Sequence, residues 1–463
     1  MKHVVIVGSG FAGLSCAREL ARSNDLHITL IDKNNHLQFQ PLLYQVATAA
    51  LAPSNVAFNL RIIFRRQSNV DVKMVEVVSV DLNTRTAATA EGQKYQGDFL
   101  VLAAGSQANF FGTPGADKYG YPLYSLRDAE VLRSRIIAVL ESADRDPSLV
   151  DKGALNFVIV GAGPTGAEMA GAFGDAAQVL QKERRFRNLA AGQAQIILVD
   201  HGDAVLKAFS ERSRSYAAKA LVQRGVQLRL GTSVREVGPG HVLLSDGTRI
   251  KTRTVIWAGG LKAATLSTNL NVQLGPGGRI DVQPDLTVKG FEGVYALGDF
   301  ANIAGVDGKP LPQLASVAEQ CGKWCARNIA LDAAGQSRKP FRYFDKGIMA
   351  MIGRNSAVAE VGVQRRQLHG VVAFVAWLGV HVLLLTNTRA KIEAMIEWAW
   401  DYFGGVRSNP ILDRIEQANI DWNGEEEEIA VSNDLESAEK YLEQLRAMKG
   451  GADETRTLRR REA

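Results

Sequence analysis

Three cysteines in 463 residues, at positions 16, 321 and 325, are too few for a disulfide framework and form no C-x-x-C pair. That excludes a disulfide-stapled secreted scaffold and points to a reducing, cytoplasmic setting. A long apolar span is also missing. The greasiest run, Val371 to Leu385, is 15 residues long and carries His381 inside it, whereas crossing a bilayer takes about 20 residues. Charge of one sign is not in excess: a net +5 with pI near 9.0 is mild and the basic residues are scattered, so nucleic acid is not an expected partner. The N-terminus enters an apolar strand at His3 to Val7 without a signal-peptide layout. No motif implies a metal.

Glycine, in contrast, is plentiful, with 44 residues, above the roughly 7% average. Much of it belongs to one device used twice. VVIVGSGFAGLSCARELA near the start and FVIVGAGPTGAEMAGAFG from Phe157 each read as a β-branched strand, a G-x-G-x-x-G turn and a helix of small residues. Each copy has a second strand ending in an acid, ITLID at Asp32 and IILVD at Asp200. The second interval is the longer, so its helix is expected to extend into the charged QKERRFRN at 181–188. Each unit closes with a strand running into small residues, FLVLAAGS at 99–106 and VIWAGG at 255–260.

A turn of this kind admits a pyrophosphate against a helix N-terminus while the acid bonds a ribose. The first copy supplies Gly8, Ser9, Gly10, Phe11, Ala12, Gly13, Asp32 and Lys33 as candidate FAD-binding residues, joined by Ala104 and Gly105. The second supplies Gly161, Gly163, Pro164, Thr165, Gly166, Asp200, Ala258 and Gly259 for NADH. The Asp200 charge would repel a ribose 2′-phosphate and so favours NADH over NADPH. Two dinucleotides in one chain suggest a resident flavin and a visiting nicotinamide. YALGD at 295–299 comes after both units, a placement similar to that in flavoproteins where the acid matching Asp299, beside Gly298, accepts hydrogen bonds from the flavin's ribityl chain.

With HLQFQPLLYQVATA at 36–49, GAGPTGAEMAG, GIMAMIGRNSAVAEV and WLGVHVLLLTNTRAKIEAMIEWAWDYF added, the sequence resembles the type II NADH dehydrogenases over roughly residues 1–405. These are single-polypeptide flavoenzymes that pass electrons from NADH to a membrane quinone without pumping protons. The resemblance implies non-covalently bound FAD, NADH as substrate, and a quinone as acceptor. It puts Pro41 to Thr48, with Gln45, beside the flavin, and Glu168 in the nicotinamide pocket. The family's A-Q-x-A-x-Q quinone motif here reads Ala315, Ser316, Val317, Ala318, Glu319, Gln320, with serine where the family has glutamine. Glu168, Gln320 and Ser316 are thus the candidate catalytic residues, and Ala315 borders the flavin. Glu168 is also a candidate proton relay if burial raises its pKa.

The expected architecture is α/β: an FAD-binding Rossmann-like domain at 1–112 and 285–345, an NADH-binding one at 113–284, and a C-terminal hairpin with amphipathic helices at 346–424. An acidic and then basic tail follows at 425–463. From Arg389, the residues Arg389, Glu393, Glu397 and Asp401 share one helical face, opposite Ile392, Met395, Ile396, Ala399 and Phe403. This segment is the expected anchor to a membrane lipid surface, making the chain a peripheral protein on the cytoplasmic face of the inner membrane, with a homodimer as a further expectation. Cys16, Cys321, Cys325 and His381 read as core residues. The rival readings are a sulfide:quinone or ferredoxin-type reductase and a non-catalytic flavin-bound redox sensor.

Overall fold

The run KHVVIV at Lys2–Val7 does not alternate polar with apolar residues, the mark of a strand covered on both faces. In the computed structural model it lies at the centre of a five-stranded parallel sheet, in the order Val294–Ala296, Phe99–Leu102, Lys2–Val7, Leu26–Asp32, Val70–Met74. Its counterpart Asn156–Val160 is the centre of a second parallel sheet, ordered Gly120–Pro122, Thr254–Trp257, Asn156–Val160, Gln195–Asp200, Val226–Leu230. The structure describes residues 1–183, 186–189, 192–385, 388–403, 412 and 420–422. The acidic and basic tail at 425–463 lies outside them.

The duplication goes further than the glycine turns. In each unit a three-stranded antiparallel meander precedes the closing strand, Val77–Asp81, Thr86–Thr89 and Lys94–Gln96 in the first and Val234–Val237, His241–Leu244 and Arg249–Lys251 in the second. The helix after the second glycine turn, Pro164–Glu183, is twice the length of Phe11–Leu20, as the longer interval required.

Small residues decide how the helices close. Phe11–Leu20 packs on Ala315–Ala333, and a Cβ at Gly322 would fall 2.2 Å from the Ala12 carbonyl oxygen, so no larger residue fits there. Cys16, Cys321 and Cys325 lie fully buried in this region as free thiols, packing residues as expected. The contact brings the turn at Gly298–Phe300 against the first glycine loop: a Cβ on Gly298 would lie 3.0 Å from Ala12 Cβ.

The apolar pair at 347–362 forms a hairpin, Gly347–Gly353 with Ser356–Val361, and a third strand, Arg366–His369, joins it. Asn355 takes the left-handed conformation at the tip (φ 60°), which asparagine tolerates. A Cβ at Gly171 would meet the Ile352 carbonyl oxygen at 2.1 Å, so glycine there lets the hairpin dock on the helix Pro164–Glu183. Two helices follow, Gly370–Leu384 and Thr388–Phe403. Among the described residues no helix is long and apolar enough to cross a membrane.

Candidate active site

Each glycine turn leaves free space at one position only. Gly8 (φ 100°) and Gly13 are closed: a Cβ would fall 2.2 Å from the Ala103 oxygen and 1.9 Å from the Gly8 oxygen. Gly161 (φ 102°) and Gly166 repeat this at 2.4 Å from the Ala258 oxygen and 1.8 Å from the Gly161 oxygen. Gly10 and Gly163 have nothing within 4 Å of that position. The outer glycines thus make the turn and the close helix packing, and the middle one leaves room for a phosphate. Gly10 caps its helix with no side-chain hydrogen bond, so the N–H groups of Phe11, Ala12 and Gly13 remain for an anion.

The strand-end acids are fixed toward these turns. Asp32 Oδ2 accepts from the Ser9 backbone N–H at 2.7 Å and from Ser9 Oγ at 2.8 Å, and Lys33 is exposed beside it. Asp200 Oδ2 accepts from Ala162 N at 2.6 Å and its Oδ1 from Gly202 N at 2.6 Å. Both carboxylates are held by backbone donors at the rim of their loops, where a ribose diol would arrive.

Asp299 closes the first site from the opposite side. Burial pushes its carboxyl above the usual range, opposed by a hydrogen bond from Ser106 Oγ at 3.0 Å and by the Arg279 charge. Ser106 Oγ also lies 2.8 Å from the Tyr124 hydroxyl, and burial pushes that phenol up to about 12. Ala104 and Gly105 lead into Ser106, and Ala315 opens its helix with no side-chain cap. Tyr124 escaped sequence reading because it belongs to no motif, and Ser106, the last residue of FLVLAAGS, was not singled out there.

Glu168 sits on the helix after the second glycine turn and is buried. Burial, against a hydrogen bond from the Met351 N–H (3.1 Å), pushes its pKa up to about 8, which favours the protonated form at neutral pH. It opens onto a cavity of about 780 Å³ walled by the C-terminal helices and by Tyr44, Gln45 and Thr48 of the first unit. Ala172 and Asp175, on the same helix face, line this cavity too. The cavity connects, among the proposed site residues, Glu168 with Gln45.

Ser316 and Gln320 are not among its described lining residues. Ser316 Oγ lies 2.9 Å from Tyr343 Oη, and Gln320 binds the Phe344 backbone twice, donating from Nε2 at 2.9 Å and accepting at Oε1 at 3.0 Å. Both polar groups hold the segment before the hairpin. His381 is buried and neutral, its pKa lowered to about 4 by burial, with Nδ1 2.8 Å from the Trp377 carbonyl oxygen and its ring stacked at 3.8 Å on Trp377. That is the satisfied core histidine the sequence suggested.

The C-terminal helices turn their apolar residues outward. Val372 is 65% exposed, Ile396 60%, Trp400 65% and Phe403 85%, while Ala373, Trp377, Ala390 and Ala394 face the body. Val371, Val375, Met395 and Phe403 are exposed and line the cavity as well, so its mouth opens among exposed apolar side chains.

Two parallel nucleotide sheets with paired glycine turns, and a buried acid, Asp299, beside the first of them, define a two-dinucleotide oxidoreductase. Residues 2–322 match the family model for pyridine nucleotide-disulphide oxidoreductases, and the chain belongs to that family, within it to the type II NADH:quinone oxidoreductases. It is 37% identical over 412 residues to the type II NADH:quinone oxidoreductase Ndh of Mycobacterium tuberculosis, covering 86% of this chain and 87% of that protein. To NdhA of the same organism it is 35% identical over 429 residues, covering 88% of each. NDH2 from Plasmodium falciparum, solved in complex with NADH, shares the fold: TM-score 0.80 at 19% identity, over 89% of this chain and 99% of that one. FAD as bound cofactor and NADH as substrate go with this membership, and the open space at Gly10, the free helix N–H groups and the buried Asp299 fit such a group.

Proposed function

We propose that this chain is a FAD-dependent NADH:quinone oxidoreductase that works at a membrane surface and pumps no protons. The observation that carries the reading is Glu168, a buried carboxylic acid at the inner end of an apolar cavity whose mouth lies between exposed apolar helices. FAD, when bound, supplies the two-electron relay between NADH and the quinone. The first glycine turn, with Asp32, Gln45, Asp299 and Ala315, holds it. Gly161, Gly163, Pro164, Thr165 and Gly166 admit the NADH pyrophosphate, Asp200 bonds its ribose, and Ala258 and Gly259 border it.

The overall reaction, NADH + H⁺ + quinone giving NAD⁺ and quinol, takes up one proton. Glu168 holds a proton at its carboxyl and can deliver it to a quinone carbonyl in the cavity, while the apolar walls exclude bulk water. Gln320 and Ser316 act on the quinone site through the 340–346 segment that they fix. The two sheets support a division into an FAD unit at 1–112 and 285–345 and an NADH unit at 113–284, with 346–403 of the expected C-terminal segment 346–424 on the quinone side.

Exposed Val372, Ile396, Trp400 and Phe403 suit the headgroup level of a bilayer, which makes the protein peripheral. NADH as donor puts it on the cytoplasmic face. The same apolar faces support a homodimer whose paired helices share one lipid-facing surface. Stopped-flow mixing with NADH and then a soluble quinone tests the core reading: flavin bleaching followed by fast reoxidation and sustained turnover is expected. A long-lived reduced or charge-transfer species without turnover would mean a redox sensor instead.

A further inference from the structure

Tyr124 belongs to none of the motifs, yet its phenol ends a buried chain that reaches the flavin-side acid. Ser106 Oγ is 2.8 Å from Tyr124 Oη and 3.0 Å from Asp299 Oδ2, and the Ser106 backbone N–H donates to Tyr124 Oη at 3.3 Å. A serine hydroxyl has one proton, and a carboxylate is a stronger acceptor than a phenol. Ser106 Oγ stands in donor position to both oxygens, and its single proton favours the Asp299 carboxylate, while Tyr124 Oη accepts from the Ser106 backbone N–H. The phenol oxygen thus holds Ser106, and Ser106 Oγ reaches Asp299.

The Tyr124 backbone is held from two sides. The Tyr124 carbonyl accepts from Gln38 Nε2 at 3.1 Å, and Gln38 Oε1 accepts from Leu126 N at 2.9 Å. Tyr124 N donates to Asp128 Oδ2 at 3.1 Å, within the capping box that starts the helix Leu126–Arg145. Asp299 is fixed from its other side by the Gly298 N–H, which donates to Cys321 Sγ at 3.2 Å.

We infer that Tyr124 is a positioning residue for the bound flavin, acting through Ser106 to aim the Asp299 carboxylate at it. The inference rests on the flavin being held at Asp299. An Asp299 oxygen aimed this way is oriented before the cofactor arrives, so its ordering cost does not fall on binding. Removing the phenol oxygen takes away the partner of the Ser106 backbone N–H and hydroxyl, so Ser106 is no longer held in place toward Asp299.

The test compares wild type, Tyr124→Phe, Ser106→Ala and the double variant, each stripped of flavin and titrated with FAD, with thermal melts of each flavin-free protein. Tyr124→Phe keeps the ring and so the packing. It is expected to raise the FAD dissociation constant about tenfold, the size of one lost charge-linked hydrogen bond, with little change in the flavin-free melting temperature. Ser106→Ala should match or exceed it, and the double variant should bind no worse than Ser106→Ala alone, because both singles break one chain. Unchanged FAD affinity in Tyr124→Phe, or fully additive losses, would overturn the inference. A wild-type protein that binds no FAD would instead overturn the flavin reading itself.

Discussion

Trp398 on the last described helix donates its indole N–H to Gln45 Oε1 at 2.8 Å, and Gln45 in turn donates from Nε2 to the Tyr44 hydroxyl at 2.9 Å. A residue of the first unit, proposed to border the flavin, is thereby tied to the C-terminal helices across 353 positions of sequence. The Trp398 ring also lies 5.9 Å from Trp377, which packs edge-on to Tyr44 at 6.5 Å. The helices therefore form part of the cavity wall as well as presenting the outward apolar face.

Trp398→Phe keeps the aromatic packing and deletes the N–H. The expected outcome is a rise of about three- to tenfold in KM for quinone, the cost of one hydrogen bond to a partly buried amide, with flavin reduction by NADH unchanged. Stopped-flow traces in which both steps slow together would count against this division of labour.

Ala172 offers a sharper test of where the quinone sits. It lies between Glu168 and Asp175 on the cavity wall, so Ala172→Leu fills the space without adding charge. Reoxidation of the reduced flavin by quinone should fall by at least about tenfold, while NADH oxidation with a ferricyanide acceptor persists. Gln320→Leu should behave differently, since it releases the Phe344 backbone: a loss of roughly 1–2 kcal/mol in stability accompanies any loss of quinone reduction. If Ala172→Leu reduces quinone normally and Gln320→Leu blocks it at full stability, the ring docks at the 315–320 motif instead.

The contrast between those two sites marks the limit of what the sequence disclosed. Both nucleotide loops were legible because their glycines answer to local geometry: φ near 100° at Gly8 and Gly161, and no room for a Cβ at Gly13 and Gly166. The strand-end acids Asp32 and Asp200 followed from the same unit. The cavity was not legible, because Gln45, Glu168, Met351 and Trp398 meet only through tertiary packing of four separate segments. Helical periodicity in 388–403 set Ile392, Met395, Ile396 and Phe403 on one outward face, and all four are exposed; what it could not signal is the buried side, where Ala390 and Ala394 are too small to mark a core.

NADH should be preferred over NADPH by at least about a hundredfold in kcat/KM, because Asp200 is locked by the Ala162 and Gly202 N–H groups where a 2′-phosphate would have to enter. Comparable kcat/KM for the two nucleotides would contradict this assignment of Asp200.

Glu168 makes a prediction about pH with a definite sign. Its folded pKa, about 8, is raised above the ordinary carboxyl value of 4.5. The unfolded chain therefore releases this proton between those values while the native one keeps it, and stability from this group is full below about pH 4.5 and lost as pH rises through 8. Glu168→Gln retains an acceptor for the Met351 N–H and cannot ionise. It should melt higher than wild type at pH 7–9, by on the order of 2 kcal/mol, and equally at pH 4.5. Its quinone reduction should be slow at every pH, whereas the wild-type rate falls as pH rises through about 8. A variant that melts with the wild-type pH profile would show that Glu168 is ionised in the fold.

The last prediction concerns what covers the outward apolar faces. Deleting the C-terminal helices is a poor probe, because Trp377 is fully buried and Trp398 binds Gln45, so truncation opens the cavity itself. Val372 and Ile396 are better targets: each is at least 60% exposed and neither lines the cavity. An apolar side chain of this size contributes roughly 1.5–3 kcal/mol on full removal from water, and a carboxylate in its place opposes insertion. Val372→Asp with Ile396→Asp should therefore lower the partition onto lipid vesicles by at least about a hundredfold, two side chains' worth of transfer energy. Turnover with a short-chain soluble quinone should stay within about twofold of wild type, while turnover with a long-tailed quinone dissolved in vesicles collapses. Flotation and sedimentation of the same samples separate the two occupants of this surface. A double variant that floats with vesicles as tightly as wild type but sediments as a monomer where wild type is a dimer assigns the face to a second copy of the chain, and the lipid reading fails.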